Sequence, residues 1–175
     1  MRRLGLSDLD PALRARAAGI RVAVFDVDGT LTDGRLYYAP DGSELKVFHV
    51  HDGHGLKALR NAGIEVALCS ARRVAAVDAR ARDLGIGHVH QGIGDKRAAV
   101  DALCAELGVP PSAMLFMGDD LADLPAMRVA GLAVAPANAH PEVLAEAHLV
   151  TRLGGGAGAA REIADLLLAA RDGAG

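Results

Sequence analysis

Along the chain, short runs of apolar, largely β-branched residues alternate with stretches in which apolar positions recur every three or four residues. The runs 21–27, 64–70, 87–91, 113–118, 131–135 and 147–151 read as strands. The stretches 54–63, 72–85, 95–108, 120–131 and 158–171 read as amphipathic helices. Gly63, Gly85, Gly108 and Gly131 stand where those helices should stop. This alternation predicts an α/β fold, a doubly wound parallel sheet with helices on both faces. The first run, RVAVFDV, is apolar nearly throughout, as a central parallel strand is. Residues 1–19 read as an N-terminal arm or helix, and no repeat or linker divides the chain. One domain over 1–175 is therefore expected.

One segment breaks the rhythm. In 35–48, RLYYAPDGSELKVF, two short strand-like runs flank Pro40-Asp41-Gly42-Ser43, a turn signature. The chain thus inserts a β-hairpin after its first strand. An isolated hairpin is marginal in water. This one carries Tyr37, Tyr38 and Phe48 among only five aromatics. Either it folds back on its own domain, or it pairs with copies of itself in an oligomer.

Composition narrows the function classes. With 51% hydrophobic and 23% charged residues the chain is ordinarily globular, and a net charge of −3 with few aromatics argues against nucleic-acid binding. No apolar run is long enough to span a bilayer, so no membrane association is expected. MRRLGLSDLDP lacks the apolar core of a signal peptide. Cys69 and Cys104 sit inside apolar stretches and read as free thiols of a reducing compartment, hence a cytoplasmic protein.

In an open parallel sheet, ligands sit outside the carboxyl ends of the strands. There the first strand delivers Asp26-Val27-Asp28-Gly29-Thr30, the second Ser70-Ala71-Arg72, and the fourth Gly118-Asp119-Asp120 with Asp123 a turn later; Lys96 opens the helix after the third. Carboxylates such as Asp26 and Asp119 suit Mg²⁺, which takes oxygen ligands together with substrate phosphate. Lys96 and the backbone N–H groups near Ser70 suit a phosphoryl group. Ser70 and Asp120 also suit helix caps, and Asp123 a helix dipole.

These four motifs, DVDGT (26–30), Ser70, Lys96 and GDDLAD (118–123), in this order resemble the haloacid dehalogenase superfamily of phosphatases, whose fold is Rossmann-like. The resemblance implies Asp26 as nucleophile, forming an aspartyl-phosphate, and Asp28 as general acid and base. It implies Asp26, the Asp28 carbonyl and Asp119 as Mg²⁺ ligands, with Asp120 and Asp123 as auxiliary carboxylates around the metal. Ser70, Ala71, Lys96, Gly29 and Thr30 would bind the phosphate.

Between Asp26 and Ser70 the hairpin and one helix consume the chain, and between Ser70 and Lys96 one helix and one strand do. No cap domain fits in either interval. The resemblance narrows to the cap-less, tetrameric group that includes the phosphatases of 3-deoxy-D-manno-octulosonate (KDO) 8-phosphate. It is carried by DVDGTLTDGRLYY, GSELKVFHVHDGHGLK, GDDLADLPAM, NAHPEV and VTRLGGGAGAAREI. It implies a homotetramer built through the hairpin and a sugar acid phosphate as substrate. Arg72 stands where this group carries arginine, a bidentate fork suited to the carboxylate of KDO. Arg80, two helical turns on, matches a second arginine of the group and would join Arg72 in binding the substrate. Phosphatases of nine-carbon sugar acid phosphates are the neighbouring alternative, and a non-catalytic tetramerising module is the alternative outside enzymes.

Some positions depart from the group's pattern. Ala71 replaces a glycine, and alanine tolerates positive φ less well, so a different local loop is expected. His51 stands where arginine or another polar residue is expected. His49, His51 and His54 straddle a strand–helix junction and read as surface or interface residues rather than a metal site. The loop Gly154–Gly158 fits no nucleotide-binding motif and reads as a flexible gate near a neighbour's site or a plain connector.

Overall fold

A computed structural model describes Gly5 and residues 9–173. The first part of the expected arm, residues 1–4 and 6–8, lies outside these. The elements run α1 (Pro11–Ala18), β1 (Val22–Phe25), β2 (Tyr37–Tyr38), β3 (Glu44–Leu45), α2 (Val50–Asn61), β4 (Glu65–Ser70), α3 (Ala75–Leu84), β5 (His88–Gln91) and α4 (Lys96–Leu107). They continue with β6 (Met114–Met117), α5 (Leu124–Met127), β7 (Leu132–Ala135), α6 (Pro141–Glu146), β8 (Leu149–Val150) and α7 (Ala159–Asp172).

Six strands form one parallel sheet in the order β5-β4-β1-β6-β7-β8. The chain starts in the middle, steps outward through β4 and β5, then returns to the other side of β1 with β6. Between β1 and β6 lies the topological switch point, the crevice where such sheets bind ligands. Alternation along β1 feeds two cores. Ala23 and Phe25 face one with α2, α3 and α7; Val22 and Val24 face the other with α4, α5 and α6. β2 and β3 form a separate antiparallel hairpin between β1 and α2. Only two residues per strand pair there, fewer than the 35–48 pattern implies.

The stop glycines divide into two kinds. Gly63, Gly85 and Gly108 adopt φ of +78°, +67° and +61° after α2, α3 and α4. Gly131 has no positive φ; a Cβ there would sit 1.8 Å from the Ser112 carbonyl oxygen, so close approach requires glycine. The helix expected over 120–131 is instead a 3₁₀ turn, Leu121–Asp123, followed by the short α5. Pro125, which has no N–H to donate, sits in the first turn of α5. α6 is an element the periodicity did not reveal; it starts on Pro141 with His140 as its N-cap.

Candidate active site

The strand ends bring four charged side chains together at the switch point. Asp26 follows β1 directly and is 5% exposed, its N–H donating to the Met117 carbonyl of β6 at 2.9 Å. Lys96, the first residue of α4 and also buried, reaches back so that Nζ donates to Asp26 Oδ1 at 2.6 Å and to Asp123 Oδ1 at 2.5 Å. The second Asp123 oxygen accepts the backbone N–H groups of Asp119 and Asp120 at 3.0 and 3.1 Å. Asp123 thus fixes both the lysine and the loop after β6. Asp119 accepts from the Thr30 hydroxyl at 3.0 Å.

Electrostatics in this cluster are unbalanced. Ligand oxygens of Asp26, Asp119 and Asp123 lie within 4.8 Å of one another, the one such group of potential metal ligands among the described residues. Three carboxylates face one ammonium. Burial, and then the charge of Asp123, push the Asp26 carboxyl up to about 8 and that of Asp119 up to about 6. Burial opposes the charge of Lys96, but Asp26 and Asp123 outweigh it and hold the ammonium above its usual range. A buried surplus of negative charge on hard oxygen donors fits a divalent cation such as Mg²⁺.

Glycine makes this packing possible. Gly29 has φ +87°, and a Cβ there would lie 2.0 Å from Asp119 Oδ2. At Gly118 a Cβ would lie 2.4 Å from Asp123 Cγ. The loop Gly154–Gly158 packs on the DVDGT loop of its own chain. Gly156 N–H donates to the Thr30 carbonyl at 3.1 Å, and a Cβ on Gly155 would meet the Gly29 carbonyl oxygen at 1.7 Å. Asn138 holds the loop through Gly155 N–H at 2.7 Å. Nothing in the local spacing of either segment announces this contact.

The other expected residues are spread around the cluster. Ser70 is buried at the end of β4, its hydroxyl accepting the Arg72 N–H at 3.2 Å. Ala71 does not adopt positive φ, so the loop accommodates alanine without strain. Thr30 is turned to Asp119. Asp120 is exposed and caps the 3₁₀ turn, its Oδ1 accepting from Leu121 N–H at 2.8 Å, apart from the carboxylate cluster. Arg80 contacts the hairpin's exit: Nη2 donates to the His49 carbonyl at 3.3 Å and the guanidinium lies 5.7 Å from the Phe48 ring centroid. His49 caps α2, accepting from His51 N–H, and the two rings meet edge to face.

Two residues the sequence did not single out complete the site. Lys46, just past β3, donates to Asp28 Oδ1 and to Glu44 Oε1. Glu44 in turn accepts from Arg72. The hairpin therefore reaches the DVDGT loop and the second motif through charged side chains, while its apolar ones stay outside. The faint signal was the alternation of Glu44 and Lys46 with Leu45 and Val47.

Comparison with known proteins agrees with this geometry. Residues 88–163 match the haloacid dehalogenase-like hydrolase family model. The chain is 47% identical over 157 residues to the Yersinia pestis 3-deoxy-D-manno-octulosonate 8-phosphate phosphatase KdsC, covering 90% of this chain and 84% of that protein. A Xanthomonas campestris protein of hypothetical function is 54% identical with a TM-score of 0.94, covering 98% of this chain and 94% of the other. The Moraxella catarrhalis 3-deoxy-D-manno-octulosonate 8-phosphate phosphatase, solved with a magnesium ion, a phosphate ion and KDO, is 41% identical with a TM-score of 0.90, covering 91% and 92%. The chain belongs to the haloacid dehalogenase-like hydrolases, in the family of the 3-deoxy-D-manno-octulosonate 8-phosphate phosphatases.

Proposed function

We propose that this protein hydrolyses 3-deoxy-D-manno-octulosonate 8-phosphate to KDO and inorganic phosphate with Mg²⁺ as its metal. The observation that carries the reading is Asp26, buried at the switch point between Lys96 and the Asp119–Asp123 carboxylates. The sugar acid is named by relatives such as the Yersinia pestis phosphatase.

Asp26 attacks phosphorus in line, forming the Asp26–phosphorus bond as the bond from phosphorus to O8 of the sugar breaks. Asp28 gives a proton to the departing O8. It then takes one from the water that hydrolyses the aspartyl-phosphate, which regenerates the Asp26 carboxylate and releases phosphate. Lys96 and the Ser70 hydroxyl hold the phosphoryl oxygens, with backbone N–H groups of Gly29, Thr30 and Ala71 beside them. Mg²⁺, held by Asp26, the Asp28 carbonyl and Asp119, offsets the charge on those oxygens when bound. Asp123 keeps Lys96 and the Asp119 loop in place. Arg72 is the fork for the substrate carboxylate, and Arg80 supports the hairpin's exit behind it.

We also read the chain as one domain acting as a homotetramer in the cytoplasm. Leu36, Tyr37, Tyr38, Leu45, Val47 and Val50 are exposed in or beside the hairpin, a concentration that an interface with other copies would cover. Cys69 and Cys104 are free thiols, consistent with a reducing compartment. No helix among the described residues is long and apolar enough to cross a membrane.

The deciding experiment is a panel of sugar phosphates assayed with Mg²⁺. KDO 8-phosphate should give the highest kcat/KM; equal or better turnover of a nine-carbon sugar acid 9-phosphate would reassign the substrate. Light scattering should give a tetramer, and a monomer at micromolar concentration would refute the hairpin interface.

A further inference from the structure

Arg72, the arginine assigned above to the substrate carboxylate, does not stand free at the site. It lies in the loop between β4 and α3, and its side chain is 41% exposed, open to a ligand. An exposed arginine samples many rotamers, and binding must freeze them. Here the hairpin holds it beforehand. Nη2 donates to Glu44 Oε2, 28 residues earlier in the chain. Glu44 is a fixed post: its side chain is 10% exposed, and its other oxygen accepts at 2.8 Å from Lys46 Nζ, which is itself buried. Tyr38 stands directly opposite Glu44 on the other strand of the hairpin, so the two share one face. The Tyr38 hydroxyl, and then Glu44, hold the Arg72 guanidinium above its usual range. Both strands of the hairpin therefore act on one guanidinium.

This hold leaves Arg72 able to recognise a carboxylate. A guanidinium carries five N–H donors that form two forks, Nε with Nη2 and Nη1 with Nη2, and each fork uses a different Nη2 hydrogen. A single Glu44 oxygen occupies one of those hydrogens, and the other fork stays whole. Nε and Nη1 have no carboxylate partner among the described residues. We propose that Glu44 and Tyr38 are positioning residues for substrate selection, holding Arg72 so that one fork faces the carboxylate of the incoming sugar acid phosphate. The inference rests on the phosphatase reading given above. Ordering one long side chain in advance is worth about two- to tenfold in affinity. Only a ligand with a carboxylate gains from it, so the hairpin contributes specificity rather than general affinity for phosphate esters.

Two constants separate this role from a structural one. KM for KDO 8-phosphate reports the whole substrate, whereas Ki for inorganic phosphate reports the phosphate subsite without any carboxylate. Glu44→Gln should raise KM about two- to tenfold and leave Ki within about twofold. Tyr38→Phe, which keeps the ring and removes only the hydroxyl, should shift KM in the same direction. Arg72→Met should raise KM at least as much as either. Added to Arg72→Met, neither Glu44→Gln nor Tyr38→Phe should raise KM further, because the side chain they hold is gone.

A KM that falls in Glu44→Gln would overturn the proposal, since Glu44 would then compete with the substrate for Arg72. So would KM and Ki rising together, or effects that multiply in the double variants. If circular dichroism shows Glu44→Gln unfolded, Tyr38→Phe decides: an unchanged KM refutes the positioning role. A normal loss in Arg72→Met with no effect of Glu44→Gln or Tyr38→Phe sinks this proposal alone. An unchanged KM in Arg72→Met instead sinks the assignment of Arg72 to the carboxylate. If a nine-carbon sugar acid 9-phosphate proves the better substrate, its carboxylate serves the same test and only the substrate's name changes. A wild type inactive on every phosphate ester sinks the phosphatase reading and this proposal with it.

Discussion

Replacing Gly29 with alanine separates the cost of backbone strain from the cost of moving Asp119, a proposed metal ligand. Gly29 sits at φ +87°, and the left-handed region costs a residue with a Cβ about 1–2 kcal/mol. For a chain of this size that is about 2–8 °C in Tm. The new methyl would also stand 2.0 Å from Asp119 Oδ2 and 2.5 Å from its Cγ. The carboxylate must retreat by about 1.4 Å to restore ordinary contact, and it gives up the Thr30 hydroxyl in doing so. A displacement of about 1 Å at a functional group can cost on the order of 10²-fold. We therefore expect the Mg²⁺ Kd to weaken at least about tenfold, near 1.4 kcal/mol. Gly63→Ala is the matched control: φ is +78° there, and nothing lies within 4 Å of the added Cβ. Isothermal titration with Mg²⁺, and melting with and without the metal, read the two terms separately. Both variants should melt below wild type without metal. Only Gly29→Ala should also lose most of the stabilisation that Mg²⁺ gives. A Gly29→Ala protein binding Mg²⁺ within about twofold of Gly63→Ala would refute Asp119 as a ligand.

Three further outcomes follow from named contacts. Lys96→Met strips the ammonium from two buried carboxylates, a change worth about 3–5 kcal/mol, so the metal-free protein should melt roughly 6–20 °C lower; a shift under about 2 °C would contradict the central role of this pair. Asp120→Ala removes an exposed cap, costing about 1 kcal/mol, and should keep kcat/KM within about twofold, whereas Asp123→Ala should lose more than about 100-fold because Lys96 loses one of its two carboxylate acceptors and two backbone N–H groups lose theirs; equal losses would rule out this division of roles. Burial, and then Arg16, hold the His148 imidazole below its usual range, and its Nδ1 accepts the Ala133 N–H at 2.9 Å. Below pH ~6.5 the unfolded chain takes up the proton first, so this contribution is present above that pH and is lost as pH falls through ~6.5 toward the folded value. His148→Gln should flatten the acid side of the pH–Tm curve, and an unchanged slope would show that His148 does not contribute to it.

The chemistry of the strand ends was legible because it is local. Asp26, Ser70, Lys96 and Asp119 each occupy a strand end or helix start that hydrophobic periodicity can find, and the doubly wound order brings such ends together. What was not legible depends on partners far away in sequence. α2 begins at Val50, four residues before its apolar periodicity, because His49 caps it and Asp52 accepts the N–H groups of Gly158 and Arg161 at the start of α7. Gly55 weakens that helix locally. A Cβ there, however, would lie 3.0 Å from Arg161 Cα and Ala164 Cβ, so glycine is what lets α2 and α7 approach. Asp120 and Asp123 look alike as acids in one short turn; only the reach of Lys96 separates cap from cluster. Gly155 and Gly156 read as an empty loop because the backbone they pack on is Gly29–Thr32, more than a hundred residues earlier.

The hairpin shows the same limit from the functional side. Its sequence announces a turn and an apolar face, and Tyr38, Leu45 and Val47 of that face are exposed. Its charged face is ambiguous until the fold sets which side meets the DVDGT loop. Once that is set, Lys46 is withdrawn from solvent to 2% exposure and engages Asp28, and Glu44 is placed between Lys46 and Arg72. A segment marginal by itself is thereby fixed to the site by ion pairs at its base; those of Lys46 are shielded and so stronger than surface pairs, whereas Arg72 in the third is 41% exposed. In a fold with no cap domain, this couples the placement of Asp28, the proposed acid and base, to the element that would meet neighbouring subunits. Mutations that disturb the outward face should then change Asp28-dependent turnover as well as assembly, and those that disturb Lys46 should change turnover while leaving the apolar face intact.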